Sequence, residues 1–425
     1  MEKLIESDKL KENYFEITHK SGLKIIIYPM ADYSSVYGIL NVNFGSIDTE
    51  YEDAQGNKYT IPMGSAHFLE HTALNSQSGD AFERIAALGV DVNAYTSNKN
   101  TVFFFSGKNN WDKSLEIMLK SIQSPSFNES DINKERKIIS KEIKMFEDDC
   151  DWIVYKNLLD GMFHYKNLSA EPAGEQSSIK EINSRLLKNI HQTFYNLNNM
   201  TLIISGGVDK DRVIEIADKV LVKSDNFKIK KIYPEESSDI DNEYIENSQI
   251  VSEPIFNFAF KIDNKFENSL KSQIIYEMLL DIISGDSTDF YREMYEQGLI
   301  NSSFDAEVYS TCGFNALIFT GESQESEKIK QSVCKRINEL KLNGIDRDLF
   351  EEIKKATYGK YIGIFSSAET IANAISFAED FKENIYDTLD IISDLTIEDV
   401  EDCLKNRIST EKTVLSVIKN KLEEY

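Results

Sequence analysis

Apolar and polar positions alternate over residues 23–28 and 36–44, both rich in β-branched side chains, and this predicts two half-buried strands. The second run ends at Gly45-Ser46. Helical spacing follows over 65–74 and again over 80–88, where Gly89 supplies a stop. Residues 92–106, dense in Val, Phe, Thr and Tyr, predict a hairpin. Helical patterns cover 112–122 and 129–146, and 201–206 predicts a further strand.

Part of this order recurs. Phe82-Glu83-Arg84-Ile85, then Gly89, then Val102-Phe103-Phe104-Phe105-Ser106-Gly107 is one copy. Phe290-Tyr291-Arg292-Glu293, then Gly298, then Ala316-Leu317-Ile318-Phe319-Thr320-Gly321 is the other, offset by 208 residues at the phenylalanines and 214 at the final glycines. A period of half the chain implies a duplicated domain rather than a solenoid. The acidic stretch 235–248, with Pro234 before it and Pro254 beyond, is the expected linker. The expected domains are 1–230 and 231–425.

Length and charge narrow the function. The 425 residues exceed what one core usually holds. Asp and Glu outnumber Lys and Arg by 72 to 47, a formal charge of -25 that repels phosphate backbones and anionic membranes, so neither is an expected partner. The first residues contain no apolar stretch of signal-peptide length and no run approaches a membrane span, so the expected location is the cytoplasm. Four scattered cysteines, Cys150, Cys312, Cys334 and Cys403, predict neither structural disulfides nor a cysteine metal site.

Chemistry concentrates at His67-Phe68-Leu69-Glu70-His71. Histidines four apart on a helix share one face, so both imidazoles can reach one ion, and neutral imidazole suits Zn²⁺. Glu70 stays on the same side and can address a water held there. The pattern H-x-x-E-H is the inverzincin signature. With only five histidines in the chain, chance supplies roughly 0.006 such matches. Shifted by 208, His67, Glu70 and His71 become Ile275, Met278 and Leu279, so the second copy keeps a scaffold without ligands. A catalytic zinc usually takes three protein ligands. Glu135 and Glu142, two turns apart on one helical face, are candidates for the third ligand and its support, and Glu147 is a further one.

The segment 64–71 resembles the active-site segment of the insulinase/pitrilysin family of zinc peptidases. Asp91-Val92-Asn93-Ala94-Tyr95-Thr96-Ser97, the helix 134–145, and Phe194-Tyr195 through Asn199-Met200 to Gly206-Gly207-Val208 are similar to further family segments in the same order. The resemblance covers about half the chain. It implies an α+β fold of two homologous α/β domains, each a mostly antiparallel sheet packed with helices, together forming half of a clam-shaped peptidase. It implies His67, His71 and Glu142 as zinc ligands, Glu135 behind them, and Glu70 as the base. Asn93 and Ala94 would lie on the edge strand that receives the substrate backbone, as β-addition does elsewhere.

The resemblance also implies a partner, since family half-clam subunits pair as homodimers or heterodimers. In heterodimers the partner carries an Arg and a Tyr, seven apart, that hold the substrate carbonyl. Here Arg292 occupies a plausible Arg position, but Leu299 stands seven residues on and Asn301 nine. The expectation is a heterodimer with a zinc-less subunit that supplies the pair, matured peptide precursors being one substrate class. The rival is a non-catalytic scaffold or binding subunit, which typically loses the metal motif that this chain keeps. His19, His164 and His191 fall outside the motif and are left out of the site, and residues 147–149 read as a solvated helix end.

Overall fold

The computed structural model describes residues 1–223, 229–263 and 269–421. In chain order the first half holds β1 (Glu2–Ser7), β2 (Glu12–Thr18), β3 (Lys24–Pro29), β4 (Val36–Val42), β5 (Glu50–Glu52), β6 (Lys58–Thr60), α1 (Ser65–Ala73), β7 (Asn75–Ser76), β8 (Gly79–Asp80), α2 (Ala81–Ala86), β9 (Asp91–Thr96), β10 (Thr101–Gly107), α3 (Trp111–Gln123), α4 (Glu129–Glu147), α5 (Cys150–Met162), α6 (Ser184–Phe194), β11 (Met200–Gly206), α7 (Lys210–Val220) and β12 (Lys230–Lys231). The second half holds β13 (Tyr244–Gln249), β14 (Ile255–Ile262), α8 (Leu270–Ser284), α9 (Asp289–Glu296), β15 (Asp305–Thr311), β16 (Phe314–Glu322), α10 (Ser326–Asn343), α11 (Arg347–Gly363), α12 (Ala368–Glu379), α13 (Asp387–Asp394), α14 (Ile397–Arg407) and β17 (Ile408–Asn420). No helix among the described residues is long and apolar enough to cross a membrane.

The duplication read from the sequence is present in the strand topology. The first sheet runs β1-β2-β3-β11-β4-β10-β9 and the second β13-β17-β14-β16-β15. In each, one pair is parallel, β3 with β11 and β13 with β17. The neighbours that follow are antiparallel. The hairpins share their register: Asp91 faces Ser106, and Asp305 faces Thr320, each 214 residues further on. Side chains set the helix starts as well. Asp80 accepts from Phe82 N–H at the start of α2, and Thr288, 208 residues later, accepts from Tyr291 N–H at the start of α9.

The packing does not follow a single cut in the sequence. One compact unit comprises Met1–Lys144, Glu171–Tyr233 and Ile364–Asp380, the other Met145–Ala170, Pro234–Gly363 and Phe381–Tyr425. Thus α12, from the second half, packs on β11 and β4 of the first sheet, and α5, from the first half, packs on the equivalent β17 and β14 of the second. The physical reason is that each sheet has two apolar faces to bury. The central strands β11 and β14 are buried at nearly every position, the pattern of a strand covered on both sides.

The stretch expected to be a linker is partly structured, which corrects that expectation. Its second part forms most of β13, parallel to β17. Its beginning supplies Glu236, whose carboxylate pairs with Lys261 on β14 at 2.7 Å, and both side chains are only 1% exposed. Lys261 Nζ also donates to Met162 O at 2.8 Å and Asp239 O at 2.7 Å. Backbone groups outcompeted the polarity of this segment because they could complete the ladder. The N-terminal pair β1–β2, with Glu2 facing Ile17 and Ser7 facing Glu12, had no sequence-based expectation.

Candidate metal centre

Helix α1 opens without a side-chain cap. Gly64 precedes it with φ 85°, and Ser65 Oγ donates to Pro62 O at 2.6 Å. A Cβ on Gly64 would stand 2.4 Å from Ala173 O, and a left-handed φ strains any L side chain. Ala66, Phe68, Leu69, Thr72 and Ala73 are buried, which turns His67 and His71 to the opposite, half-buried side. Gly64→Ala is therefore expected to destabilise the fold by about 2 kcal/mol or more and to lower metal affinity by displacing both imidazoles. A denaturant midpoint and a zinc titration check this.

The second element is α4. Ile132, Ile139 and Ile143 bury one face of it, and Glu135 and Glu142 lie along the edge of that face. The helix is pinned by Arg136, which donates to Ile179 O at 3.1 Å and Ile182 O at 2.6 Å and lies 6.0 Å over the Phe68 ring of α1. Ser140 adds a 2.7 Å bond to Gln176.

These two helices bring three donor atoms together. His67 Nε2 and His71 Nε2 are 3.1 Å apart, His67 Nε2 and Glu142 Oε2 3.3 Å, and His71 Nε2 and Glu142 Oε2 3.5 Å. Among the described residues this is the cluster able to hold a metal ion. Two nitrogens and one carboxylate oxygen match a catalytic zinc donor set. The spacing fits too: donors about 2.0–2.1 Å from a tetrahedral zinc lie about 3.3 Å from one another. Of the three glutamates left open by the sequence, Glu142 meets both Nε2 atoms. Glu135 instead accepts from His71 Nδ1–H at 3.3 Å, the contact that fixes a ligand's tautomer. Glu147, at the end of α4, is outside the cluster.

Charge at the site is tightly coupled. Burial works against the imidazolium of His71, but Glu135, Glu142 and Glu70 outweigh it and raise its pKa above the usual value. The hydrogen bond from His67 holds the Glu142 carboxyl below its usual range. Glu70 is 8% exposed, its Oε2 lying 3.5 Å from His67 Nδ1 and accepting from Thr96 Oγ1 at 2.6 Å. Thr96, which contacts this candidate base, was not singled out from the sequence. The available signal was strand alternation, which puts it on the same face of β9 as Val92 and Ala94, toward α1.

Asn93 and Ala94 lie on β9, the edge of the first sheet. The N–H of Ala94 donates to Asn93 Oδ1 at 2.8 Å. Arg292 is in the second unit, on α9, where it is exposed and paired with Asp289. Leu299 is buried and Asn301 lies in the turn that follows. The remaining histidines hold structure. His19 bonds to Ser21 Oγ at 2.7 Å and Asp218 at 3.0 Å. Although this joins a Ser, a His and an Asp, Ser21 is buried and unsuited to attack. His191 donates to Ile122 O at 2.8 Å, and burial pushes its pKa down to about 4. His164 pairs with Glu236 and Asp241.

Two family models match this chain. One is described as insulinase (peptidase family M16) and matches residues 42–176, and the other as the peptidase M16 inactive domain and matches residues 181–357. The chain is 28% identical over 429 aligned residues to an uncharacterized zinc protease, YmfH, of Bacillus subtilis, covering 98% of this chain and 99% of that protein. It is 30% identical over 165 residues to mitochondrial-processing peptidase subunit beta of Neurospora crassa, covering 38% and 35%. The crystal structure of a putative M16-like peptidase from Alicyclobacillus acidocaldarius matches with a TM-score of 0.90 at 24% identity, over 96% of this chain and 98% of that one, a likeness of fold.

Proposed function

The chain belongs to the insulinase/pitrilysin family of peptidases, and on that premise we propose that it is a zinc metalloendopeptidase subunit hydrolysing short or unfolded peptides. The observation that carries this reading is the convergence of His67 Nε2, His71 Nε2 and Glu142 Oε2 beside the Glu70 carboxylate. His67, His71 and Glu142 would hold the zinc, with Glu135 orienting His71. When bound, zinc acidifies water and polarises a carbonyl. Glu70 takes the proton from the attacking water and passes it to the leaving nitrogen. Thr96, at 2.6 Å, keeps the Glu70 carboxylate aimed. Substrate extends along β9, where Asn93 and Ala94 bond its backbone and strand addition fixes its register.

The partner in this reading is a second subunit of the same fold, which brings an Arg/Tyr pair for the substrate carbonyl. Arg292 here is paired with Asp289, and no phenol stands seven residues after it, which favours a heterodimer over a homodimer. The processing peptidase that the chain resembles is itself named as a subunit. In this reading the assembly works in the cytoplasm, with maturation of a precursor peptide as its role. Size exclusion with peptidase assays tests the pairing: full activity of the chain alone as a homodimer ends the heterodimer reading.

Elemental analysis tests the metal. The expected result is about one zinc per chain, lost in His71→Ala while the circular dichroism spectrum is retained. A folded, metal-free wild-type protein would support the scaffold-subunit alternative instead.

A further inference from the structure

The segment 171–183 runs against both helices of the candidate metal centre. Its buried Ala173, Ile179 and Ile182 join the apolar cluster that also holds Phe68 and Leu69 of α1 and Ile132, Ile139 and Ile143 of α4. Apolar burial is non-directional, so it does not by itself fix how a helix is rolled about its axis. Backbone contact and hydrogen bonds do fix it, and the segment makes both.

Toward α1 the contact is backbone on backbone. Gly174 has φ 81°, and a Cβ there would stand 2.7 Å from Met63 O, just as one on Gly64 would stand 2.4 Å from Ala173 O. Two facing glycines let the chains touch where no side chain fits. Toward α4 the contact is polar. Ser140 Oγ donates to Gln176 Oε1 and Gln176 Nε2 donates to Ser140 O, both at 2.7 Å. Arg136, one turn earlier, divides its fork between Ile179 O at 3.1 Å and Ile182 O at 2.6 Å. The same guanidinium lies 6.0 Å over the Phe68 ring of α1.

These four bonds grip one line along α4. Arg136 and Ser140 lie about a third of a turn round the helix from Glu135 and Glu142. A grip on the first pair therefore sets the rotation of the second. Side-chain ends lie about 5–6 Å from a helix axis, so a roll of about 10° moves a carboxylate by about 1 Å. A preorganised site tolerates only about 0.5 Å. Glu142 Oε2 stands 3.3 Å from His67 Nε2 and 3.5 Å from His71 Nε2, and a roll of that size would break this match. We propose that the segment 171–183 braces the two metal helices, and that Arg136 and Gln176 are positioning residues for Glu142 that set zinc affinity without contacting the ion.

Their role rests on the zinc reading, and competition between the full chain and a chromophoric chelator for zinc tests it. Arg136→Met keeps the aliphatic stem and removes the donors, and it should weaken zinc binding about tenfold. Arg136→Lys restores one donor and should recover part of that loss. Gln176→Leu removes both bonds to Ser140 and should weaken binding about fivefold. Ser140→Ala leaves the Gln176 Nε2 bond to Ser140 O and should have the smaller effect. Ile204→Val, at a buried position of β11, is the control: it should lower the melting temperature and leave zinc affinity within about twofold of wild type. With Co²⁺ in place of zinc, Arg136→Met should also change the visible absorption, which reports ligand set and geometry.

Zinc affinity within about twofold of wild type in both Arg136→Met and Gln176→Leu, with only the melting temperature lowered, overturns the proposal and leaves the zinc reading standing. So does an equal loss of affinity in Ile204→Val, which would trace the effect to general stability. A folded wild-type chain that takes up no zinc overturns both.

Discussion

Glu70→Gln is expected to retain zinc and to lose peptide hydrolysis by about three orders of magnitude. The donors of the proposed zinc site come from His67, His71 and Glu142, so a neutral amide at position 70 leaves them in place. The amide still accepts from Thr96 Oγ1, and its size preserves the packing of a residue that is 8% exposed. What disappears is the basic oxygen 3.5 Å from His67, and with it the proton transfer from water to the leaving nitrogen. The expected signature is a fall in kcat with little change in KM, because the lost interaction belongs to the transition state. Single-turnover assays on zinc-replete protein with an excess of the partner subunit check this. Hydrolysis within about tenfold of wild type would remove Glu70 from the role of base.

The second large effect is on stability. Lys261→Met is expected to destabilise the second unit by about 3–5 kcal/mol, because it leaves the Glu236 carboxylate buried without its cation. Glu236 would keep its bonds from His164 N–H at 3.0 Å and Tyr165 N–H at 3.2 Å but lose the 2.7 Å contact that offsets its desolvation. Met162 O and Asp239 O would lose their donor at the same time. Pairing the change with Glu236→Leu should restore most of the loss, since removing both charges also removes the desolvation cost. Urea titration of the single and double variants measures the coupling. A single variant within about 1 kcal/mol of wild type would show that the pair acts as a solvated surface bridge.

Lys261 also shows where sequence reading stops. It stands in Phe256-Asn257-Phe258-Ala259-Phe260-Lys261-Ile262, an alternation that reads as an apolar face and a polar face. The polar face is buried because α5, contributed from residues 150–162, lies across β14 and β17. No local pattern announces that a helix from the other half of the chain will cover that face. The same holds for α12 on β4 and β11, and for Glu236, which sat within an acidic run that composition assigns to solvent.

The candidate metal centre lies between these cases. The α1 half was legible because an i, i+4 pair of histidines needs only a helix to share a face. The α4 half was legible as candidates, and the family resemblance chose among them. Yet Glu135 and Glu142 are two turns apart on one edge of the helix, and only the approach of α4 to α1 made one meet both Nε2 atoms and the other meet His71 Nδ1. Thr96 was invisible in role, because its bond to Glu70 joins residues 26 apart through the packing of β9 on α1.

By itself, then, the sequence determined what local periodicity and spacing can encode: the helix of His67, Glu70 and His71, the alternating strands, and a duplication with apolar residues where the second copy would need ligands. The tertiary structure decided which glutamate meets the imidazoles, which lysine is buried, and which helix covers which sheet. The physical reason is that these depend on faces brought together from distant parts of the chain, where burying the second side of each sheet outweighs the order in which the residues are strung.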